Sequence, residues 1–143
     1  MNGRSGAGSA AIPPWFWLAE KIGEAAAGLV GASPDEVICT GTTTVNIHSI
    51  ISTLYRPAFG RPKILACALE FPTDTYALKS RMTIQGVDWR EHLVLVEGDE
   101  NGLVSEDSIT DAMTDEVSIV HLSSALYRSG QLLDVERLTR AAS

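Results

Sequence analysis

The fold is decided by the stretch Cys39-Thr-Gly-Thr-Thr-Thr-Val-Asn-Ile-His48, in which a strand-like run breaks at Gly41 and a helix begins after three threonines. The first backbone N–H groups of a helix have no intrahelical partner and lie at the positive end of the helix dipole. Thr42, Thr43 and Thr44 add hydroxyl donors at the same place. This arrangement can hold a phosphate group. A threonine before a helix more often serves only as an N-cap, so the interpretation needs support from other motifs.

The composition is that of an ordinary globular protein. The length of 143 residues is sufficient for one domain with a hydrophobic core. Of these residues, 45% are hydrophobic and 20% charged, as is usual for globular proteins. The net charge is −7, and the eleven Lys and Arg residues are scattered along the chain. Because a nucleic-acid backbone attracts clustered cations, a nucleic-acid partner is not expected.

The cysteine residues and the hydropathy pattern indicate the cellular compartment of the protein. Cys39 and Cys67 both lie in apolar strand-like runs, so the sequence predicts two buried, reduced thiols and no disulfide framework. The segment Met1–Ile12 lacks the apolar core of a signal peptide, and no run is long enough to span a membrane. We expect a flexible start to the chain, no membrane partner and a cytoplasmic location.

Strands and helices are predicted to alternate along the chain. Short apolar runs predict strands over Val37–Thr40, Lys63–Cys67, His92–Val96 and Val117–Leu122. Apolar positions at helical spacing predict helices over Pro14–Val30, Val45–Tyr55, Thr75–Gln85 and Ser105–Met113, and a last helix that begins near Asp134. Ser105 is the predicted N-cap of its helix. Single helices between strands predict an α/β fold, an αβα sandwich in which helices cover both faces of a mainly parallel sheet.

Three polar motifs fall in loops that follow predicted strands. Gly41–Thr44 follows the first strand, Phe71-Pro-Thr-Asp74 follows the second, and Ser123–Gln131 follows the last. The carboxyl ends of parallel strands meet at one edge of a sheet, where the binding crevice of such folds lies. We therefore expect the three motifs to converge on one ligand. His48, His92 and His121 are not spaced as metal ligands, and no metal site is predicted.

Several short motifs are shared with a known family. They are Pro14-Trp-Phe16, Val30-Gly-Ala32, Thr44-Val-Asn-Ile-His48, Tyr55-Arg-Pro57, Arg61-Pro-Lys-Ile64, Phe71-Pro-Thr-Asp-Thr-Tyr-Ala77 and Leu126-Tyr-Arg-Ser-Gly-Gln131. On these motifs the sequence resembles the bacterial kynureninases, pyridoxal-phosphate enzymes of the aspartate aminotransferase fold in the class-V aminotransferase superfamily. The resemblance runs from Pro14 to the end. It implies that residues 13–143 are part of the large, cofactor-binding domain of a fold-type I enzyme.

The resemblance also implies an activity. The family hydrolyses the Cβ–Cγ bond of L-kynurenine or 3-hydroxykynurenine to give L-alanine and anthranilate or 3-hydroxyanthranilate. This reaction belongs to tryptophan catabolism and NAD biosynthesis. The family is dimeric, with active sites completed across the subunit interface, so a homodimer is implied for the complete protein.

The cofactor implied by the resemblance is pyridoxal 5'-phosphate. The positions that match the family's cofactor-binding residues are Thr43, Thr44, Phe71, Pro72, Thr73, Asp74 and Ser123. In this assignment Thr43 and Thr44 bind the phosphate, which agrees with the physical interpretation of the helix start. Phe71 stacks on the pyridine ring, the rest of its loop offers a rigid turn and polar contacts, and Ser123 faces the cofactor from the next strand end.

No catalytic residue is assigned within the chain. The family's Asp that pairs with the pyridinium nitrogen, its nearby His and the Lys that forms the Schiff base correspond to positions beyond Ser143. Lys21, Lys63 and Lys79 do not follow the family's pattern for that lysine. The chain stops inside a predicted helix without a capping signal. We therefore expect a truncated domain that does not turn over on its own.

Two other functions stay open. Another class-V pyridoxal-phosphate enzyme, such as a cysteine-desulfurase-like lyase, would share the fold and the phosphate site, but a stacking His would be expected in place of Phe71. A non-catalytic α/β module that binds a phosphorylated small molecule is the third candidate. Such a module should be monomeric and fold cooperatively, whereas a piece of a larger sheet would expose an edge and aggregate.

Overall fold

The computed structural model describes residues 15–57 and 60–143, so the predicted flexible segment Met1–Ile12 lies outside the described residues. The chain divides into two compact units, Met1–Thr42 and Thr43–Ser143. Among the helices of the described ranges, none combines the length and the apolar character that crossing a membrane requires.

The described part of the first unit contains three helical segments. A short 3-10 helix, Trp15–Trp17, leads into α1, Leu18–Val30, and a second 3-10 helix covers Pro34–Glu36. Helix α1 ends at Gly31, which has a φ of 67°. This left-handed conformation favours glycine because it lacks a Cβ atom, and it commonly terminates helices. The predicted first helix is thus confirmed from Leu18 to Val30.

The predicted strand over Val37–Thr40 is wrong. Three strands form the sheet in the described part of the chain, and this segment is not one of them. Val37 has extended backbone angles, φ −117° and ψ 127°, as a strand would. Its carbonyl oxygen packs against Gly23 of α1, so closely that a Cβ atom on Gly23 would lie 2.2 Å from that oxygen. An extended run becomes a strand only through ladder hydrogen bonds to a neighbour, and this run packs on a helix.

The second unit is built on an all-parallel sheet. Its strands are β1, Lys63–Cys67, β2, Leu93–Val96, and β3, Val117–His121. The strand order is β2-β1-β3, with Ile64 of the central strand opposite Leu93 on one side and Ile119 on the other. The sequence predicted β1 at its observed bounds, β2 one residue too long at its start and β3 one residue too long at its end.

In the described part of this unit, five helices accompany the sheet. They are α2, Thr43–Leu54, α3, Pro72–Ile84, α4, Trp89–His92, α5, Glu106–Asp111, and α6, Val135–Ala141. The short helix α4 was not predicted; the Asp88 side chain caps it by accepting a hydrogen bond from the backbone N–H of Arg90 at 2.9 Å. The predicted N-cap of α5 is confirmed, since Ser105 accepts from the backbone N–H of Ser108.

The central strand is buried on both faces, which makes the second unit three layers thick. Ile64 and Ala66 face the helices α2 and α3, in a core with Ile47, Ile51, Tyr55, Ala77, Leu78 and Met82. Leu65 and Cys67 face the opposite side, in a core with Val96, Val104, Ile109, Val117, Leu126, Leu133 and Leu138. The predicted α/β fold with helices on both faces of a parallel sheet is confirmed.

The two cysteines differ in exposure. Cys67 is buried as predicted, but Cys39 is exposed, so the prediction of a second buried thiol is wrong. The error follows from the missing strand, because an extended run outside the sheet does not carry its side chains into the core. Burial raises the pKa of the Cys67 thiol, and the nearby carboxylates of Glu70 and Glu97 act in the same direction.

The folded chain should therefore show one fast thiol. The thiolate is the reactive form, so burial and a raised pKa both protect Cys67. With a disulfide reagent near neutral pH, we expect Cys39 to react at least about 100-fold faster than Cys67. In the variant Cys39→Ser the fast phase should disappear, and in denaturant both thiols of the original chain should react alike. Two fast thiols in the folded chain would contradict the described core.

Candidate functional site

The loop between β1 and α3 carries the aromatic residue of the predicted site. Phe71 is the N-cap residue of α3, and its ring is half-exposed. Pro72 is the first residue of the helix, where a proline is favoured because its missing N–H would have no intrahelical partner. The Phe71 ring meets the ring of Tyr127 edge to face, with centroids 5.1 Å apart and an interplanar angle of 69°. Tyr127 is thus in direct ring contact with Phe71.

Asp74 lies in the first turn of α3 and is buried, with only 6% of its surface exposed. The Thr73 hydroxyl donates a hydrogen bond to Oδ1 of Asp74 at 3.3 Å. Oδ2 of Asp74 lies 3.9 Å from Nε2 of His121. The negative charge is favoured at this place by the helix dipole. Among residues 15–57 and 60–143, the Nε2 atom of His121 is buried without a hydrogen-bond partner. A ligand that reaches this point would therefore meet an unsatisfied imidazole nitrogen.

Ser123 is held by a buried carboxylate that the sequence analysis did not single out. Glu70, which precedes Phe71, is 4% exposed. Its Oε1 accepts from the backbone N–H of Ser123 at 2.8 Å, and its Oε2 accepts from the Ser123 hydroxyl. The two residues follow neighbouring strands, so this contact ties the exit of β3 to the exit of β1.

Glu70, Asp74 and His121 form a cluster in which one ligand atom of each lies within 4.8 Å of the others. Carboxylate and imidazole groups are common metal ligands, and no metal site was predicted for this chain. Both carboxylate oxygens of Glu70 already accept hydrogen bonds from Ser123, and Oδ1 of Asp74 accepts one from Thr73, so we interpret the cluster as neighbouring polar groups of the strand ends.

Helix α2 begins at Thr43, two residues earlier than predicted. Thr43 is exposed and Thr44 half-buried, and both belong to the first turn of this helix. Their amides consequently have no intrahelical acceptor, as an anion site requires. The helix is joined to α3 further along, where the Arg81 guanidinium donates to the backbone carbonyl of Ser52 at 3.0 Å.

The motif Tyr127-Arg-Ser-Gly-Gln131 is largely structural. The Gln131 side chain accepts from the backbone N–H of Val104 and donates to its carbonyl, each at 2.8 Å. Gly130 has a φ of 70°, and its N–H donates to the Leu126 carbonyl at 2.8 Å, which closes the turn. Of this motif, Tyr127 makes the contact with the Phe71 loop. Two of the three motifs that were expected to converge therefore meet, through Phe71 and Tyr127 and through Ser123 and Glu70. The convergence of Gly41–Thr44 with them stays a prediction.

Sequence reasoning missed Glu70 and His121 for different reasons. Glu70 follows an apolar run and directly precedes the Phe71 loop. A charged residue next to a buried strand was the signal in the sequence that could have indicated a functional carboxylate. His121 was considered only for its spacing from other histidines. Its partner Asp74 lies on a different element, and only the parallel pairing of β1 with β3 brings the two together.

The fold and the site define an α/β protein that gathers an aromatic ring and buried polar groups at the carboxyl ends of its parallel strands. No protein-family model matches the chain. Curated relatives do match: it is 53% identical over 129 residues to the kynureninase of Bacillus anthracis, 51% identical to that of Geobacillus thermodenitrificans and 50% identical to that of Shouchella clausii.

Each of these alignments covers 90% of this chain and 30% of the relative. The chain thus spans about 30% of the length of the curated relatives it matches. It is homologous to a segment of kynureninase, an enzyme family, and the resemblance inferred from its motifs is confirmed.

Proposed function

We propose that this chain is part of a kynureninase, with residues 13–143 contributing to its cofactor-binding large domain. The observation that carries the proposal is the identity of 50–53% to kynureninases over 129 residues. In the complete protein the proposed reaction is hydrolysis of L-kynurenine or 3-hydroxykynurenine to L-alanine and anthranilate or 3-hydroxyanthranilate. The proposed assembly is a cytoplasmic homodimer, and the proposed cofactor is pyridoxal 5'-phosphate.

The residues present fit this cofactor. The ring of Phe71 is half-exposed and would be available to pack on a planar pyridine ring. Thr43 and Thr44 offer first-turn amides and hydroxyls to a phosphate group. In the part of the chain that the structure describes, the unsatisfied Nε2 of His121 and the carboxylate of Asp74 would offer polar contacts to the cofactor.

The site residues of this chain would bind the cofactor or orient the groups that bind it. When bound, pyridoxal 5'-phosphate would supply an electron sink that stabilises negative charge developing on the substrate. Thr43 and Thr44 would hold its phosphate, Phe71 would fix the plane of its ring, and Pro72 would keep the Phe71 loop rigid. Thr73 would orient the Asp74 carboxylate through the hydrogen bond between them.

We further propose that the 143-residue chain alone does not turn over. Each of its three lysine side chains has a partner. The Lys63 ammonium pairs with Glu116 at 2.5 Å, that of Lys21 pairs with Glu24 at 2.6 Å, and that of Lys79 lies 4.4 Å from the centroid of the Trp89 ring. Lys63 makes its ion pair at the amino end of the sheet, and Lys79, which lines one cavity with Glu70, Pro72 and Tyr127, has its ammonium over the Trp89 ring.

Binding of pyridoxamine 5'-phosphate to the chain tests the proposal. This probe carries the ring and phosphate of the cofactor but has no aldehyde, so it cannot react with surface lysines. We expect saturable binding by isothermal titration calorimetry. Phe71→Leu should weaken it about tenfold by removing the aromatic face, and Thr44→Val by about tenfold or more by removing a donor to a charged group.

Two matched controls accompany these variants. Tyr76→Leu removes another exposed aromatic ring from α3, and Thr53→Val removes a hydroxyl of α2 that donates to the Ser49 carbonyl at 2.9 Å. Both should bind the probe as the original chain does. If inorganic phosphate binds as tightly as the probe, and Phe71→Leu has no effect, the chain is a phosphate-binding module and the kynureninase proposal fails.

A further inference from the structure

The buried carboxylate of Glu70 accepts hydrogen bonds from Ser123 on both of its oxygens. A buried charge is costly unless it is hydrogen-bonded, and here the backbone N–H and the hydroxyl of Ser123 supply one bond to each carboxylate oxygen. The two residues are 53 positions apart in sequence. They stand just beyond the paired strands β1 and β3, so the contact extends the link between these strands past the point where the ladder ends.

This contact determines whether the Ser123 hydroxyl can donate or accept a hydrogen bond with a ligand. A serine hydroxyl has one proton to donate and two lone pairs that accept. Its proton is directed to Oε2 of Glu70, so only its lone pairs remain for another group. A ligand atom at Ser123 must then be a donor, such as an O–H, an amine or a ring N–H. Without Glu70, the same hydroxyl would be free to turn and donate.

We propose that Glu70 is a positioning residue, which holds Ser123 as a hydrogen-bond acceptor for a donor group of the bound cofactor or substrate. This inference rests on the proposed function, because it assigns Ser123 to the pyridoxal-phosphate site. Glu70 itself acts through Ser123. Its role is to orient one hydroxyl, and it follows that the two residues are coupled in binding.

A double-mutant cycle on the affinity of the chain for pyridoxamine 5'-phosphate tests this coupling. Glu70→Gln keeps the shape of the side chain but presents one acceptor and one donor group to Ser123. We expect Glu70→Gln and Ser123→Ala each to weaken binding about tenfold, and the double variant to be no weaker than either. In the Ser123→Ala background, Glu70→Gln should change the affinity by less than about twofold.

Glu116→Gln is the matched control for loss of a carboxylate. Glu116 is exposed, lies just before β3 and pairs with Lys63 at the opposite end of the sheet. This variant should bind the probe as the original chain does. A role of Glu70 in stability alone would weaken binding in both Ser123 backgrounds, and would overturn the inference. Equal affinity of Glu70→Gln and the original chain would overturn it as well.

A second pair of variants decides the question if Glu70→Gln does not fold, as judged by circular dichroism. Ser123→Thr keeps the hydroxyl and should bind within about threefold of the original chain, while Ser123→Ala should be about tenfold weaker. If Ser123→Ala binds like the original chain, the inference fails and the proposed function stands. If the original chain does not bind the probe, the proposed function fails, and this inference with it.

Discussion

Leu78→Ala is expected to destabilise the chain by about 2–5 kcal/mol, the cost of deleting a large side chain from a closed core. Leu78 is completely buried in α3 and belongs to the core that this helix forms with α2 and with the Ile64 face of β1. Removing its three outer carbons loses their transfer free energy and leaves a cavity. The surrounding backbone can close that cavity only in part, because β1 is also packed on its other face.

The measurement is equilibrium unfolding in urea, followed by circular dichroism and by tryptophan fluorescence. Ile84→Ala is the matched control on the same helix, since Ile84 is 70% exposed. It should change the free energy of unfolding by no more than about 0.5 kcal/mol. If Leu78→Ala costs as little as Ile84→Ala, helix α3 is not packed on the sheet as described.

This core also explains why the site is positioned where it is. Helix α3 carries Phe71 at its N-cap and Asp74 in its first turn, so the packing of Leu78 and Met82 one to two turns later fixes the direction of the helix. The site residues themselves contribute little apolar burial, because Phe71 is half-exposed and Asp74 is charged. The positions of the site residues are therefore determined by the packing of helix α3 in the core.

Local signals in the sequence were sufficient for most elements. Lys63–Cys67 was predicted at its observed bounds because a short apolar run flanked by polar residues is typical of a central strand. Ser105 was predicted as an N-cap because a capping side chain bonds to an amide only a few positions away. The helix α4 was missed because four residues are too few for a periodic pattern.

Contacts between distant positions were not predictable. The run Val37–Thr40 has strand-like composition, but whether it becomes a strand depends on a neighbour, and in this unit its backbone packs on α1. The bonds of Glu70 to Ser123 and the approach of Asp74 to His121 both depend on the pairing of β1 with β3. The sequence predicted which loops carry polar residues. Which side chains contact each other depends on the strand order of the sheet, which the sequence did not predict.

The contact between α1 and Val37 leads to a pair of substitutions with opposite expected signs. Gly23→Ala should destabilise the first unit by about 1–3 kcal/mol, because the new Cβ would lie 2.2 Å from the Val37 carbonyl oxygen. That atom belongs to the backbone and cannot rotate away as a side chain would. Gly28→Ala, on the same helix, should stabilise it by about 0.5–1 kcal/mol, since nothing lies within 4 Å of the new Cβ and alanine favours helix.

Hydrogen exchange of the α1 amides, resolved by mass spectrometry over Leu18–Val30, measures both effects in the unit that contains them. Protection should fall in Gly23→Ala and rise in Gly28→Ala. If both substitutions raise protection, Val37 does not approach the helix. The two changes replace the same residue type by alanine within one helix, so intrinsic helix propensity predicts the same sign for each. Opposite signs would therefore isolate the close backbone contact as the cause.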